Sequence, residues 1–210
     1  MIQLIKYISE FIGRLFSLIC PSNLPKLWRA IIAHVYTGFL RRRFAAWGQG
    51  SVIAYKALNL HDLDCISIGK HAQICKGIQL TAWRQADNIS KKPEIVIGDN
   101  CNIREGAHIT AINSIRIGNN LLTGTNVLIT DNSHGTAEQS RMECHPQDRP
   151  LYSKGKIVIG NNVWIGNNVC IMPGVAIGDG VIIGANSVVT KDIPAYTVAA
   201  GIPAIIIKQN

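Results

Sequence analysis

The chain has 210 residues, 47% of them apolar and 16% charged, which supplies one packed core and excludes a disordered, highly charged chain. Six scattered cysteines with no C-x-x-C pair argue against a zinc site or a disulfide framework and for reduced, mostly buried thiols. The formal net charge of +8 is concentrated at one end: residues 1–56 hold eight of the 21 Lys/Arg and a single acid, Glu10.

The first predicted element is a helix over MIQLIKYISEFIGRLFSLIC. Lys6, Glu10 and Arg14 recur every four residues on one face, and Ile5, Ile8, Ile12, Phe16 and Ile19 occupy the rest. Spanning a membrane would place those charges in the bilayer core at about 2.5–3.5 kcal/mol each. No small-residue cleavage site follows to make the segment a signal peptide. A second helix is predicted in LPKLWRAIIAHVYTGFLRRRF. There Leu24, Leu27, Trp28, Ile31, Ile32, Val35 and Phe39 sit at helical spacing beside Lys26, Arg29 and the Arg41–Arg43 run. Residues 1–46 thus read as a basic amphipathic appendage for an anionic membrane surface, in a cytoplasmic protein peripheral on the inner face of the cytoplasmic membrane. The other reading is that both helices pack on their own domain or on a neighbouring subunit. The arginine run comes with no nucleic-acid module, so nucleic acid is not an expected partner.

Beyond the appendage a six-residue period takes over. Ile159, Ile165, Ile171, Ile177, Ile183 and Val189 are spaced by six, and Val163, Val169, Val175 and Val181 follow four residues after the first four of them. The next such position is Ser187. The pattern recurs at Ile97, Ile103 and Ile109, resumes after a two-residue slip at Ile117, Thr123 and Ile129, and has weaker copies at Ile68 and Ile74. Neither a 3.6-residue helix nor simple strand alternation gives this spacing. A short strand and a tight turn, repeated with Gly, Asn and Asp in the turns, does; three such units make one coil of a parallel β-helix.

These residues resemble the hexapeptide-repeat acyltransferases, a family that includes maltose and galactoside O-acetyltransferases and enzymes that decorate bacterial cell-surface polysaccharides. The likeness covers roughly residues 60–208 and is most specific in KIVIGNNVWIGNNVCIMPGVAIGDGVIIGANSVVTKDIPAYTVAAGIPAIIIK, residues 156–208. It implies a mainly β fold: a left-handed parallel β-helix over 47–194 with a catalytic loop at 130–156, and a C-terminal cap and CoA-contacting tail over 195–210. It also implies acetyl-CoA as acyl donor and a homotrimer with each site between two subunits.

The period stops after Ile129 and returns at Ile157, and a long polar loop on a rigid scaffold commonly carries function. In the resembling enzymes the catalytic histidine lies in this loop, which points to His134 as general base. An imidazole suits removal of a hydroxyl proton at neutral pH, and CoA leaves as a thiolate, so no protein nucleophile is needed. Asp131 is the candidate orienter of that imidazole. Trp164 matches a cleft aromatic. The backbones of Asn167 and Ala185 match positions that meet the pantetheine arm. Thr190, Lys191 and Lys208 match the nucleotide end, the lysines as phosphate partners. Ile205 departs from the family, which usually has Arg or Lys two residues after the turn proline, Pro203. His108 is a candidate to face the cleft, His145 reads as a solvated loop histidine, and His34, His61 and His71 read as structural. A zinc lyase on this scaffold needs an H-x4-H pair, and no two histidines here are five apart. The expected activity is O-acetylation of a sugar hydroxyl on a cell-surface polysaccharide precursor or similar saccharide. N-acetylation of an amino sugar and a non-catalytic scaffold stay open as alternatives.

Overall fold

The computed structural model describes residues 2–19, 24–84, 91–136, 138 and 142–209. Cys20, the side chains of Leu18 and Ile19, and loop residues 137 and 139–141 lie outside them. The period-six residues point inward. Ile97, Ile103, Ile109, Ile117, Thr123, Ile129, Ile159, Ile165, Ile171, Ile177, Ile183 and Val189 are all buried, and so are the valines that follow four residues on. Each buried aliphatic side chain contributes about 1.5–3 kcal/mol, and the stacked rows make one continuous core.

Each coil gives one short strand to each of three parallel sheets; one coil runs Ser114–Ile117, Leu122–Thr123 and Leu128–Thr130. Face one holds six strands, from Ala46–Trp47 to Ala176–Ile177, and face three also holds six, from Asn59–His61 to Val188–Val189. Face two holds eight, from Val52–Ile53 to a closing antiparallel hairpin of Thr197–Gly201 and Ala204–Gln209. Register is kept from coil to coil, as in Leu122↔Trp164 and Trp164↔Ile182. The first coil, Ala46 to His61, lies almost wholly upstream of residue 60, where the family likeness begins. Ser187, at a position of the valine series, is fully buried; its hydroxyl donates to the Gly184 carbonyl and accepts from the Gly201 N–H, tying the terminal hairpin to the last coil.

A second ladder runs along the corners. A side-chain oxygen of one coil accepts a backbone N–H of the coil before. Asp99 receives Lys70 (2.7 Å), Asn119 receives Asp99 (2.8 Å), Asn161 receives Asn119 (2.9 Å), Asn167 receives Thr125 (2.9 Å) and Asp179 receives Asn161 (2.5 Å). The residue before each donor is glycine, and a Cβ there would stand 2.3–2.8 Å from that same oxygen, too close for any other residue.

Two helices precede the coils: α1, Ile2–Ile19, and α2, Leu24–Leu40. The C-terminal half of α2 docks on the first coil through buried Thr37 and Leu40, with Tyr36 edge-on to Tyr55. Thr37 Oγ1 accepts the Ile53 N–H (3.0 Å), an outward-facing strand-edge donor with no earlier coil to receive it. Every side chain described in α1 is exposed. Among the described residues, no helix is long and apolar enough to cross a membrane.

Candidate active site

The loop leaves face three from a stiff stem. Thr130 Oγ1 donates to the Asn132 carbonyl (3.1 Å), and Asn132 Nδ2 donates to the Thr110 carbonyl (3.3 Å). Ser133–His134 then pairs antiparallel with Leu151–Tyr152, placing His134 opposite Leu151. Gly135, at φ +78°, extends the hairpin by donating to the Pro150 carbonyl (2.9 Å). The returning arm is braced by Arg149, which donates to the carbonyls of Met142 (2.8 Å) and Cys144 (3.1 Å). His145 Nδ1 accepts the Gln147 N–H (3.3 Å) and caps a short 3-10 turn, Pro146–Asp148. The segment that reads as a plain polar loop therefore contains a hairpin, and His134 is built into it.

His134 is exposed at the rim of a cleft of about 1340 Å³. The ring of His134 has no hydrogen-bond partner among the described residues. The cleft floor is the outer surface of face three, in two rows set by strand register: Asn59, Gln79, His108, Leu128, and His61, Thr81, Thr110, Thr130. Thr81 Oγ1 is buried with no hydrogen-bond partner among the described residues. Burial pushes the His108 imidazole below its ordinary pKa of 6.5, which keeps it neutral at pH 7. At the end away from His134 stand Trp83 and Arg84. The His61 ring stacks on Trp83 at 4.1 Å and 21°, and its Nδ1 bonds the Ala82 carbonyl (2.9 Å). Arg84 is held by Asp62 (3.0 Å) and Asp64. His61 thus lines the cleft floor and at the same time holds Trp83 and the Ala82 carbonyl, a structural role. The six-residue spacing stretches to seven between Ile53 and Leu60, so the first coil lies inside the expected 47–194 bounds but off the strict period.

Asp131 also needs correction. Its carboxylate is fully buried and accepts the backbone N–H groups of Ile112 (2.8 Å), Asn113 (2.9 Å) and Ser114 (2.8 Å), and Asn132 Nδ2 (3.3 Å). These donors form the corner of the two-residue slip, so Asp131 clamps that corner from the next coil instead of orienting His134. Burial pushes its pKa up, against the pull of the four hydrogen bonds.

The remaining candidates sit elsewhere on the same chain. Trp164 is exposed on face two, in one register row with Ile182, Val198 and Lys208. Asn167 and Ala185 lie at the adjoining corner, where the hydrogen-bond ladder is broken. By its rule the residue at 185 should receive the Asn167 N–H, but alanine has no acceptor. That N–H has no acceptor among the described residues, and Ala185 is exposed beside it. Thr190 and Lys191 are exposed just beyond the last coil. None of these residues lines the His134 cleft of its own chain. Ile205 is exposed on the terminal hairpin, as are Ile202, Ile206 and Ile207. Among the described residues no group of three His, Cys, Asp or Glu side chains is placed to hold a metal.

The family described as bacterial transferase hexapeptide (six repeats) matches residues 156–191. A protein of Escherichia coli (strain K12) described as a lipopolysaccharide biosynthesis O-acetyl transferase, WbbJ, is 42% identical over 118 residues, 55% of this chain and 60% of its own. Galactoside O-acetyltransferase of the same organism is 35% identical over 137 residues, 59% of this chain and 68% of its own. The chain therefore spans 60% and 68% of the lengths of these two relatives. A hexapeptide-repeat-containing acetyltransferase of Vibrio cholerae O1 biovar eltor, solved with acetyl coenzyme A, matches with a TM-score of 0.55 and 25% identity over 84% of this chain and 76% of that one.

Proposed function

Because the chain belongs to the hexapeptide-repeat acyltransferases, we propose that it moves an acetyl group from acetyl-CoA to a hydroxyl of a saccharide, with His134 as general base. In this reading the coils wind left-handed, as the family's do. The observation that carries it is the placement of His134: a loop histidine fixed on a hairpin strand, at the rim of a cleft floored by amides, hydroxyls and a neutral imidazole. Such a floor offers the uncharged donors and acceptors that sugar hydroxyls pair with, and the His61–Trp83 stack offers a flat surface for a sugar ring.

The acceptor oxygen attacks the thioester carbonyl carbon as His134 takes its proton. The tetrahedral oxyanion then collapses, the C–S bond breaks, and the CoA thiolate leaves and is reprotonated by the imidazolium. For the donor, the open Asn167 N–H beside Ala185 is suited to a pantetheine amide carbonyl, with Trp164 and Lys208 on the neighbouring row and Thr190 and Lys191 toward the nucleotide. That donor surface and the His134 cleft lie on different faces of one chain. The reading therefore includes a homotrimer in which a second copy brings face two, with exposed Leu122 and Trp164, against the cleft.

The test is thiol release from acetyl-CoA in the presence of sugars, amino sugars and nucleotide sugars. His134→Ala is expected to lower turnover by about 10²–10⁴-fold. Equal rates for the variant refute the base assignment. Turnover confined to amino sugars moves the reaction to nitrogen, and a fully active monomer by sedimentation refutes the shared site.

A further inference from the structure

We infer that α1 and the outward face of α2 form a binding surface for an anionic lipid membrane. At 100° per residue the positions of α1 separate into two sides, with Ile2 at the first position the exception. Gln3, Lys6, Ser9, Glu10, Gly13, Arg14 and Ser17 share one side, while Leu4, Ile8, Phe11 and Leu15 centre the other. The apolar side covers about half of the cylinder, and all of it that is described is exposed.

α2 has two apolar faces. One carries Tyr36, Thr37 and Leu40 onto the first coil. The other carries Leu24, Leu27, Trp28, Ile31, Val35 and Phe39, and each of these is exposed, Phe39 by 73% and Trp28 by 62%. The prism end thus fixes α2 with a second apolar stripe turned away from the protein, a feature that docking on its own domain does not explain. A monomer seldom exposes contiguous apolar surface of this extent without an occupant.

Charge identifies the occupant. The same segment carries Lys6, Arg14, Lys26, Arg29 and Arg41–Arg43 against one acid, Glu10, and the three consecutive arginines are exposed at the base of α2. Cations beside an apolar face with Trp and Phe suit the headgroup boundary of an anionic bilayer, where the apolar faces enter the acyl region and the cations meet lipid phosphates. No described helix can span, so the helices lie in the surface plane. This inference does not depend on the chemistry of the cleft.

The experiment is co-sedimentation of the full chain with phosphatidylcholine vesicles and with vesicles containing phosphatidylglycerol. Binding to the anionic vesicles is expected to exceed binding to neutral ones at least tenfold and to fall severalfold in 0.5 M salt. Phe11→Glu with Phe16→Glu, and separately Arg41→Gln with Arg42→Gln and Arg43→Gln, should each reduce it at least fivefold, with thermal unfolding of the coils unchanged. Equal binding to both vesicle types overturns the inference. So does an absence of vesicle binding, or a Phe11→Glu, Phe16→Glu variant that instead sediments as a smaller assembly, since a second copy of the chain would then be the occupant.

Discussion

Replacing Ala185 with asparagine restores the acceptor that the corner ladder lacks. In the five filled rungs an Asp or Asn oxygen stands 2.5–2.9 Å from the backbone nitrogen of the preceding coil. An asparagine side chain at position 185, in the same geometry, would take the Asn167 N–H that the proposed pantetheine carbonyl needs. Losing that bond and leaving the carbonyl unpaired costs about 1–2 kcal/mol, a rise of roughly 5- to 30-fold in the KM for acetyl-CoA. The new internal bond adds about 0.5–1.5 kcal/mol to folding, which for a chain of this size raises Tm by roughly 1–6 °C. Initial-rate thiol release against acetyl-CoA concentration gives the first number and differential scanning calorimetry the second. A higher Tm with an unchanged KM would show that the rung forms and that CoA does not use it. An unchanged Tm would refute the ladder rule itself.

Asp131→Ala leaves three backbone N–H groups without an acceptor, which after relief of a buried charge is expected to lower stability by about 2–5 kcal/mol while the pH profile of kcat/KM keeps its position; a shifted profile at unchanged Tm would return Asp131 to the role of orienter. Burial lowers the His108 pKa, so the unfolded chain binds that proton more readily; the stability contributed is complete above about pH 6.5 and is lost as pH falls through the folded value. His108→Gln should therefore make the fall in Tm between pH 7.5 and 5.5 shallower, and an unaltered slope contradicts the burial argument. Thr37→Val removes the acceptor of the Ile53 edge N–H and is expected to cost about 1–3 kcal/mol by denaturant unfolding, with acetyl-CoA KM unaffected.

The coils were legible because their signal is local. An inward Ile or Val every six residues needs no partner to be recognised, and the buried series from Ile97 to Val189 follows it. The Asn/Gly corners were legible as turns but not as a ladder, since each bond joins residues 18 to 42 positions apart. The same distance hid the clamp role of Asp131, whose donors come from the preceding coil, and the pairing of His134 with Leu151. Ser187 broke the valine series for a reason that lies in the terminal hairpin. Which side of α2 would face the protein depended on the end of the prism, and periodicity alone placed Ile32 with the exposed residues although it is partly buried.

A stack of parallel coils is in effect a one-dimensional crystal with two growth faces. Each face presents open strand edges that another copy, or the same end of a neighbour, can extend without limit. Here one end is closed by α2 with its Thr37 hydroxyl on Ile53, and the last coil on face two is covered by the antiparallel hairpin, which reverses chain direction and so cannot template another parallel coil. A shortened chain that begins at the first coil would lose the first of these terminators. Its expected behaviour is pairing of two copies through their bared first coils, read by sedimentation as a doubled assembly mass, which makes α2 a guard against end-to-end association.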